Sequence, residues 1–529
     1  MARILIADSL SAEGVKILQA GGAFEVDNRP DITPEQLLED IAQYDAVVIR
    51  SRSKIPKEVL QKGSKLKVVG RAGAGLDNVD LAAATELGVV VMNTPGGNTI
   101  SAAEHAFGLM LSLARNIPQA DASMKAGRWE KKKLTGTEVN GKTLGIVGLG
   151  RIGIEFAKRA EGFNMRILGF DPFVSADIAK SYNIELCELD KVMCESDLIT
   201  IHSPKNKDTI GMFNAGVFKK MKKNALLINC ARGGIVVEQD LIDALEAGEI
   251  AGAALDVFEA EPLPEDSPLR KSGKLVLTPH LAASTEEAQE GVAVQVAEQI
   301  VDLLKTGQIR NAANAPDIAP DILGKVRPYL QLGEQLGRFT SQMTPWPVVK
   351  LSVRYFGEVL DLPVAPITTA IAKGFVEPKV DPPVNYVNAM KLAERMGIEI
   401  TDTRDHEKLD YQNLLQLEVE SESGEKTLVA GTFFTRTTPR IVQINDKRVV
   451  AEPSGTMIVL ENKNVPGVIG AVTTLLGEQK INIGELTWGR REDQNEAMTL
   501  INVDSEVSSG IIEQIEKLPN INWAKLLTV

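Results

Sequence analysis

The segment Gly148-Leu149-Gly150-Arg151-Ile152-Gly153 follows the apolar run LGIV and opens a helical pattern, and seventeen residues separate Gly153 from Asp171 at the end of the next apolar run. Glycines at this spacing allow a tight turn, close approach of backbone to a pyrophosphate, and packing of helix on strand. The helix N-terminus adds free N–H groups and partial positive charge. Asp171 would accept hydrogen bonds from ribose hydroxyls and repel a 2′-phosphate, which favours NAD over NADP. A nicotinamide enzyme acting on an alcohol also needs a base near neutral pH, and the chain has four histidines. His280 follows the run LVLT and Pro279 and precedes the helix signal Ser284-Thr285-Glu286, so it is expected at a strand's carboxyl end, where parallel sheets bind ligands. His202 ends the run LITIH and would shape the cofactor site. His105 lies inside a helical run and reads as packing, and His406 lies in the polar stretch TDTRDHEKLD and reads as solvated.

Arg232, in NCARGG, also leaves a strand end, and its planar fork suits a substrate carboxylate. A carboxylate beside the histidine would raise its pKa and orient its ring. Asp256, Glu259 and Glu261 in LDVFEAEP are the candidates, and spacing leaves the choice open. Arg50 and Arg71 each close an apolar run, a reasonable clamp for a dianion, with Arg52 as a further candidate.

These residues need rigid elements to hold them. Up to about residue 285, short apolar runs alternate with helical patterns, which predicts parallel sheets covered on both faces. About 140 residues of this pattern precede the glycine turn, so a second α/β unit must be built from the amino-terminal part, with the ligand between the two. A helix is expected over Glu286–Lys305. Asn311–Pro328 reads as a linker, residues from about 330 to 450 as a mixed α+β unit with one helix across Tyr386–Met396, and residues after about 453 as a compact β-α-β-β-α-β unit.

Composition narrows the function class. A length of 529 residues with 44% hydrophobic and 24% charged residues predicts several folded domains. A net charge of -13 disfavours nucleic acid, and charges or Gly interrupt every apolar run before it reaches membrane-spanning length. The amino terminus reads as a first strand and not as a secretory signal, so a cytoplasmic protein is expected. Three cysteines without CxxC spacing support neither disulfides nor a metal site.

Together, GLGRIG with Asp171, NCARGG, DVFEAEP and TPHLAAST resemble the D-2-hydroxyacid dehydrogenase family over about residues 1–310. GRAGAGLDNVD and VMNTPGGNTISAAEHA look like its long-form branch acting on 3-phospho-D-glycerate. The resemblance implies an α/β fold, with a Rossmann-type NAD-binding domain (98–285) inserted in a flavodoxin-like substrate domain (1–97 and 286–312). An α+β intervening domain (318–450) and a C-terminal ACT domain (453–529) would follow. It implies Arg232 as carboxylate holder, His280 as acid/base and Glu261 as its partner. Cofactor contacts would come from Gly148, Gly150, Arg151, Ile152, Gly153, Asp171, Ser203, Cys230, Ala231, Asp256 and Ala283, with Asp256 at the nicotinamide end. Substrate contacts would come from Arg50, Arg52, Arg71 and Gly73. Ala74 and Ser203 depart from the family's usual hydroxyl residue and Thr, which bears on NAD affinity. In the last domain Asn462, Asn464 and Asn482 match effector-binding positions of a fold that binds amino acids between paired domains, here L-serine, although Val465 replaces the commoner arginine. A homo-oligomer is implied, a tetramer before a dimer. Rival readings are a hydroxypyruvate, glyoxylate or lactate dehydrogenase, which needs no phosphate clamp, and a non-catalytic NAD-sensing interaction protein.

Overall fold

Strands that are apolar on both faces need cover on both sides, and the first half of the chain meets that need twice. The structure is a computed structural model and describes residues 1–21, 24–381, 383–407, 409–490 and 495–529. Strands β1 (Ala2–Ile6), β2 (Phe24–Asn28), β3 (Ala46–Ile49), β4 (Val68–Arg71) and β5 (Val90–Met92) form a parallel sheet in the order β2-β1-β3-β4-β5. Strands β6 (Thr143–Val147), β7 (Arg166–Phe170), β8 (Ile184–Leu186), β9 (Leu198–Ile201), β10 (Leu226–Asn229), β11 (Gly252–Leu255) and β12 (Leu275–Leu277) form a second, in the order β12-β11-β10-β9-β6-β7-β8. Strand order reverses between β1 and β3 and again between β6 and β9, and each reversal opens a crevice at the strands' carboxyl ends.

The chain passes from the first sheet to the second and back. Helix Thr99–Ala114 packs on β10, β11 and β12. Helix Glu286–Thr306, one residue longer than expected and capped by Thr285, returns to bury Val292, Val296 and Ile300 with Ile4, Ile6 and Val68. Asn314 then accepts from Val91 N–H at 2.9 Å and donates to the Val89 carbonyl at 2.9 Å, tying the returning chain to β5.

The linker expected over Asn311–Pro328 is shorter. Residues Pro320–Met343 form one helix of 24 residues with Pro328 inside it. Proline at the first helical position costs nothing, because the N–H there has no partner within the helix. Leu332, Leu336 and Phe339 recur at helical spacing and are buried, so packing outweighs the Pro and Gly punctuation. A second helix, Ala365–Val376, packs beside it. Both belong to the core beneath a sheet of β13 (Lys350–Gly357), β14 (Glu399–Asp405), β15 (Asn413–Glu420), β16 (Lys426–Phe433), β17 (Pro439–Ile444) and β18 (Lys447–Ala451). That sheet runs in the order β14-β13-β15-β16-β17-β18. The helix expected across Tyr386–Met396 shrinks to Ala389–Arg395, since Asn385 and Asn388 trade side-chain and backbone hydrogen bonds in a turn before it.

The last unit has the expected element order. Strands β19 (Thr456–Lys463), β20 (Ile483–Arg490), β21 (Glu496–Val503) and β22 (Ile521–Thr528) pair antiparallel in the order β20-β21-β19-β22, with helices Val468–Glu478 and Ser509–Glu516.

Candidate active site

The glycine turn leaves β6 as predicted and begins helix Arg151–Glu161. Gly148 has φ 96°, and a Cβ there would lie 2.8 Å from the His202 carbonyl. A Cβ on Gly153 would lie 2.1 Å from the Gly148 oxygen. Both glycines are therefore required by the fold itself. Gly150 is different, because a Cβ there would meet no protein atom within 4 Å. Its missing side chain clears space outside the protein, at a helix start with no side-chain cap on its N–H groups. Asp171 is held beside the turn, Oδ2 accepting from Leu149 N–H and Oδ1 from Phe173 N–H, both at 2.8 Å. Each oxygen keeps acceptor capacity for a ribose hydroxyl. An uncapped helix start, a vacant glycine and a fixed acid fit a dinucleotide.

The remaining cofactor positions surround that turn. Ser203 Oγ donates to the Val147 carbonyl at 3.2 Å, and Arg151 reaches across to the Pro95 carbonyl at 3.0 Å. Asn229 shapes the NCARGG turn by accepting from Ala231 N–H and donating to the Arg232 carbonyl. Burial pushes the Cys230 thiol up and the His202 imidazole down to about 3, so neither ionises near neutrality. The His202 ring packs 5.3 Å from Phe156 and belongs to the scaffold. Ile152 and Ala283 are half-buried near the two strand ends that carry the turn and His280.

His280 follows β12 and holds φ 54°, with its N–H donated to the Asp256 carbonyl at 2.9 Å. Its Nδ1 lies 2.7 Å from Glu261 Oε2. Of the three acids that spacing left open, Glu261 is thus the partner. Glu259 turns away and accepts from Glu238 N–H. The Glu261 hydrogen bond raises the His280 pKa against the opposing effect of burial. Burial pushes Glu261 up, but the bonds from His280 and Phe258 N–H bring it below its ordinary value.

Asp256, expected at the nicotinamide end of the cofactor, is enclosed within the turn that carries His280. Its residue exposure is 0%, and its carboxylate accepts from Thr278 Oγ1 at 2.6 Å, Leu281 N–H at 2.8 Å and Ala282 N–H at 2.9 Å. His105 Nε2 lies 3.2 Å away, so this histidine joins the same hub. Against burial, these donors hold the Asp256 carboxyl below its ordinary value. A carboxylate so enclosed organises the turn that carries His280. Ser101, which donates to the Ala282 carbonyl at 2.7 Å, fastens the same turn to helix Thr99–Ala114. Ser101 and Thr278 lie within the motifs VMNTPGGNTISAAEHA and TPHLAAST, but their contacts and the Asp256–His105 contact join residues up to 181 positions apart and were not read from the sequence.

Arg232, whose charge reaches His280, also reaches the arginines at the strand ends of the first sheet. Arg71, at the end of β4, is largely buried with an unpartnered Nε. Burial, with the nearby charges of Arg232 and Arg50, lowers its pKa to about 10 against the opposing charges of Asp77 and Asp8. The three guanidinium groups therefore share one field, with no side-chain acceptor on Arg71 Nε. Arg71 lies over Gly73, whose φ of 145° suits glycine and whose Cβ would strike the guanidinium at 2.0 Å. Arg52, the further candidate, pairs through Nε with Asp8 at 3.1 Å and donates through Nη2 to the Ala7 carbonyl at 2.6 Å. Sequence reading missed Asp8, which is 3% exposed and also accepts from Arg50 N–H, Ser53 N–H and Ser53 Oγ. The apolar run ending in Asp8 was its one available signal.

The effector candidates do not converge within one chain. Asn462 is 2% exposed, with Oδ1 accepting from Thr499 at 3.0 Å and Nδ2 donating to the Lys463 carbonyl at 2.9 Å. Asn464 lies just beyond β19, whereas Asn482 precedes β20, whose start shares a register with the start of β19. The pair therefore stands at opposite ends of the sheet. Asn482 is exposed and donates to Asp504 at 2.5 Å.

Three family models match the chain: the NAD binding domain of D-isomer specific 2-hydroxyacid dehydrogenases over residues 107–282, the D-3-phosphoglycerate dehydrogenase intervening domain over 325–445, and the ACT domain over 456–520. The D-3-phosphoglycerate dehydrogenase of Archaeoglobus fulgidus is 41% identical over 521 residues, 98% of each chain. That of Bacillus subtilis is 38% identical over 527 residues, 100% of this chain and 99% of its own. Among solved structures, apo D-lactate dehydrogenase from Escherichia coli aligns with a TM-score of 0.52 and 29% identity, covering 59% of this chain and 100% of that one. NAD-dependent formate dehydrogenase from Staphylococcus aureus in complex with NAD aligns with a TM-score of 0.53 and 29% identity, covering 59% of this chain and 98% of that one.

Proposed function

The chain belongs to the D-3-phosphoglycerate dehydrogenases, and from that premise we propose how its residues carry out the NAD-dependent oxidation of 3-phospho-D-glycerate to 3-phosphooxypyruvate. The observation that carries the assignment is the His280–Glu261 pair at 2.7 Å beside the Arg232, Arg71 and Arg50 cluster. Arg232 holds the substrate carboxylate, while Arg71 and Arg50 take the phosphate. With both ends fixed, C2 is positioned for reaction. Bound NAD supplies the acceptor for the hydride that leaves C2. His280 Nε2 takes the C2 hydroxyl proton, since Nδ1 is engaged by Glu261, and Glu261 stabilises the imidazolium so formed.

The division of the chain into a substrate domain (1–97 and 286–312), an NAD-binding domain (98–285), an intervening domain (318–450) and an ACT domain (453–529) is part of this reading. The reaction would open serine biosynthesis in the cytoplasm, with L-serine acting back through the ACT unit. Because Asn464 and Asn482 lie at opposite ends of one sheet, the serine site needs two chains, which supports a homo-oligomer and is compatible with a tetramer. Steady-state NADH formation from 3-phospho-D-glycerate tests the reading. His280→Ala should lose about 10²- to 10⁴-fold in kcat. No NADH formation by the unaltered chain, or full activity in the variant, overturns it. A panel including hydroxypyruvate and glyoxylate separates the phosphate-independent alternative, for which Arg71→Gln would leave KM unchanged.

A further inference from the structure

The cleft holds one ion pair that the reaction as described does not use. Asp77, in the loop after β4, accepts from Arg232 Nε at 2.9 Å, although the two residues follow strands of different sheets. Arg232 Nη1 is occupied by the Ala231 carbonyl at 2.7 Å, so the edge carrying Nε is the one left for a carboxylate, and Asp77 lies on it. Gly75 makes this approach possible, since a Cβ there would lie 2.2 Å from Arg232 Nη2 and 3.0 Å from Asp77 Oδ2. The Asp77 side chain is 62% exposed against 31% for Arg232, so Asp77 can return to water while the arginine stays. Asp8, the other acid whose charge reaches Arg71, lacks that freedom because the chain at residues 50–53 holds it through four hydrogen bonds.

We propose that Asp77 is a positioning residue that stands in for the substrate carboxylate on Arg232 between turnovers and is displaced when substrate binds. The inference rests on Arg232 being the carboxylate holder. Without an anion in the cleft, Asp77 offsets the mutual repulsion of clustered guanidinium groups and holds Arg232 in the cleft. With substrate present, Asp77 left in place would be a like charge on the same fork, so binding exchanges one carboxylate for another.

The test uses the full-length enzyme at an ionic strength of about 0.01 M. Asp77→Asn should lower the KM for 3-phospho-D-glycerate about two- to fivefold, the range expected from losing one exposed ion-pair competitor. The gain should appear in KM and not in kcat, fade at about 1 M salt, and vanish in Asp77→Glu. Inhibition constants locate the effect. Oxalate, which has carboxylates and no phosphate, should bind tighter to Asp77→Asn by a similar factor, and glycerol 3-phosphate, which has no carboxylate, should not. An unchanged or higher KM and oxalate constant overturns the proposal, as does equal tightening of both inhibitors, which would mean a diffuse charge effect. Arg232→Gln is measured in parallel. If it leaves KM unchanged, the assignment of Arg232 itself fails; if it raises KM while Asp77→Asn does nothing, only the stand-in role fails.

Discussion

Glu261 and Asp256 show how one short segment can separate two acids into different tasks. Glu261 raises the His280 pKa by bonding Nδ1, so Glu261→Gln should let it fall back toward the ordinary value. Oxidation needs unprotonated His280, so its rate is lost as pH falls through that pKa. In the variant this limb should move to lower pH, with kcat down about tenfold or more. The reverse reaction needs the protonated form, and its high-pH limb should move the same way. A pH–rate profile in both directions checks this. Asp256 acts through structure instead. Its folded pKa is depressed, so its stabilising effect is complete above the unfolded value near 3.9 and is lost as pH falls through the folded one. Asp256→Asn should cost about 3 kcal/mol at pH 7 in urea denaturation, and the difference from the unaltered chain should narrow below about pH 4. Residue types and motifs pointed to His280, Arg232 and the acidic segment. Spacing alone could not separate Glu261 from Asp256 and Glu259, because their roles depend on how the chain turns between β11 and β12.

At the level of elements, the glycine turn divides into positions that the fold needs and one that it does not. Gly150→Ala should leave the melting temperature of the NAD-free enzyme unchanged, since a Cβ there touches no protein atom within 4 Å. Its KM for NAD should rise about tenfold or more, as a methyl group intrudes where phosphate approaches. Thermal melting and NAD titration together separate this from Gly148→Ala, which should destabilise the chain because of its φ of 96°. The parallel strands were legible because burial on both faces writes itself as continuous apolar runs. Helix Pro320–Met343 was not. Its prolines and glycines carry loop signals, and only tertiary contacts of Leu332, Leu336 and Phe339 outweigh them.

Across the whole molecule, the proposed regulation through the ACT unit would have to cross from the terminal units to the cleft. The intervening unit is docked on the substrate unit through Asn385, which donates to the Gly88 carbonyl at 2.7 Å, an Arg395–Glu86 pair at 2.8 Å, and Val387 buried in the first core. The terminal sheet is joined in turn to the intervening unit, with Thr528 and Gln342 exchanging hydrogen bonds at 2.8 and 3.1 Å. If serine acts between paired chains, exposed Asn482→Ala should weaken L-serine inhibition about tenfold without lowering the melting temperature. Buried Asn462→Ala should lower that temperature by removing the Thr499 acceptor. Inhibition curves and thermal melts on the two variants distinguish these outcomes. From the sequence alone came the parallel α/β class, the dinucleotide turn, and His280 and the arginines as candidates, because each is a local pattern of residue type and spacing, while the ACT unit came through family resemblance. The tertiary structure alone decided that Asp256 is enclosed, that Arg52 pairs with Asp8, and that Asp77 meets Arg232. Those outcomes depend on which distant side chains share a low-dielectric space, and spacing along the chain does not encode that.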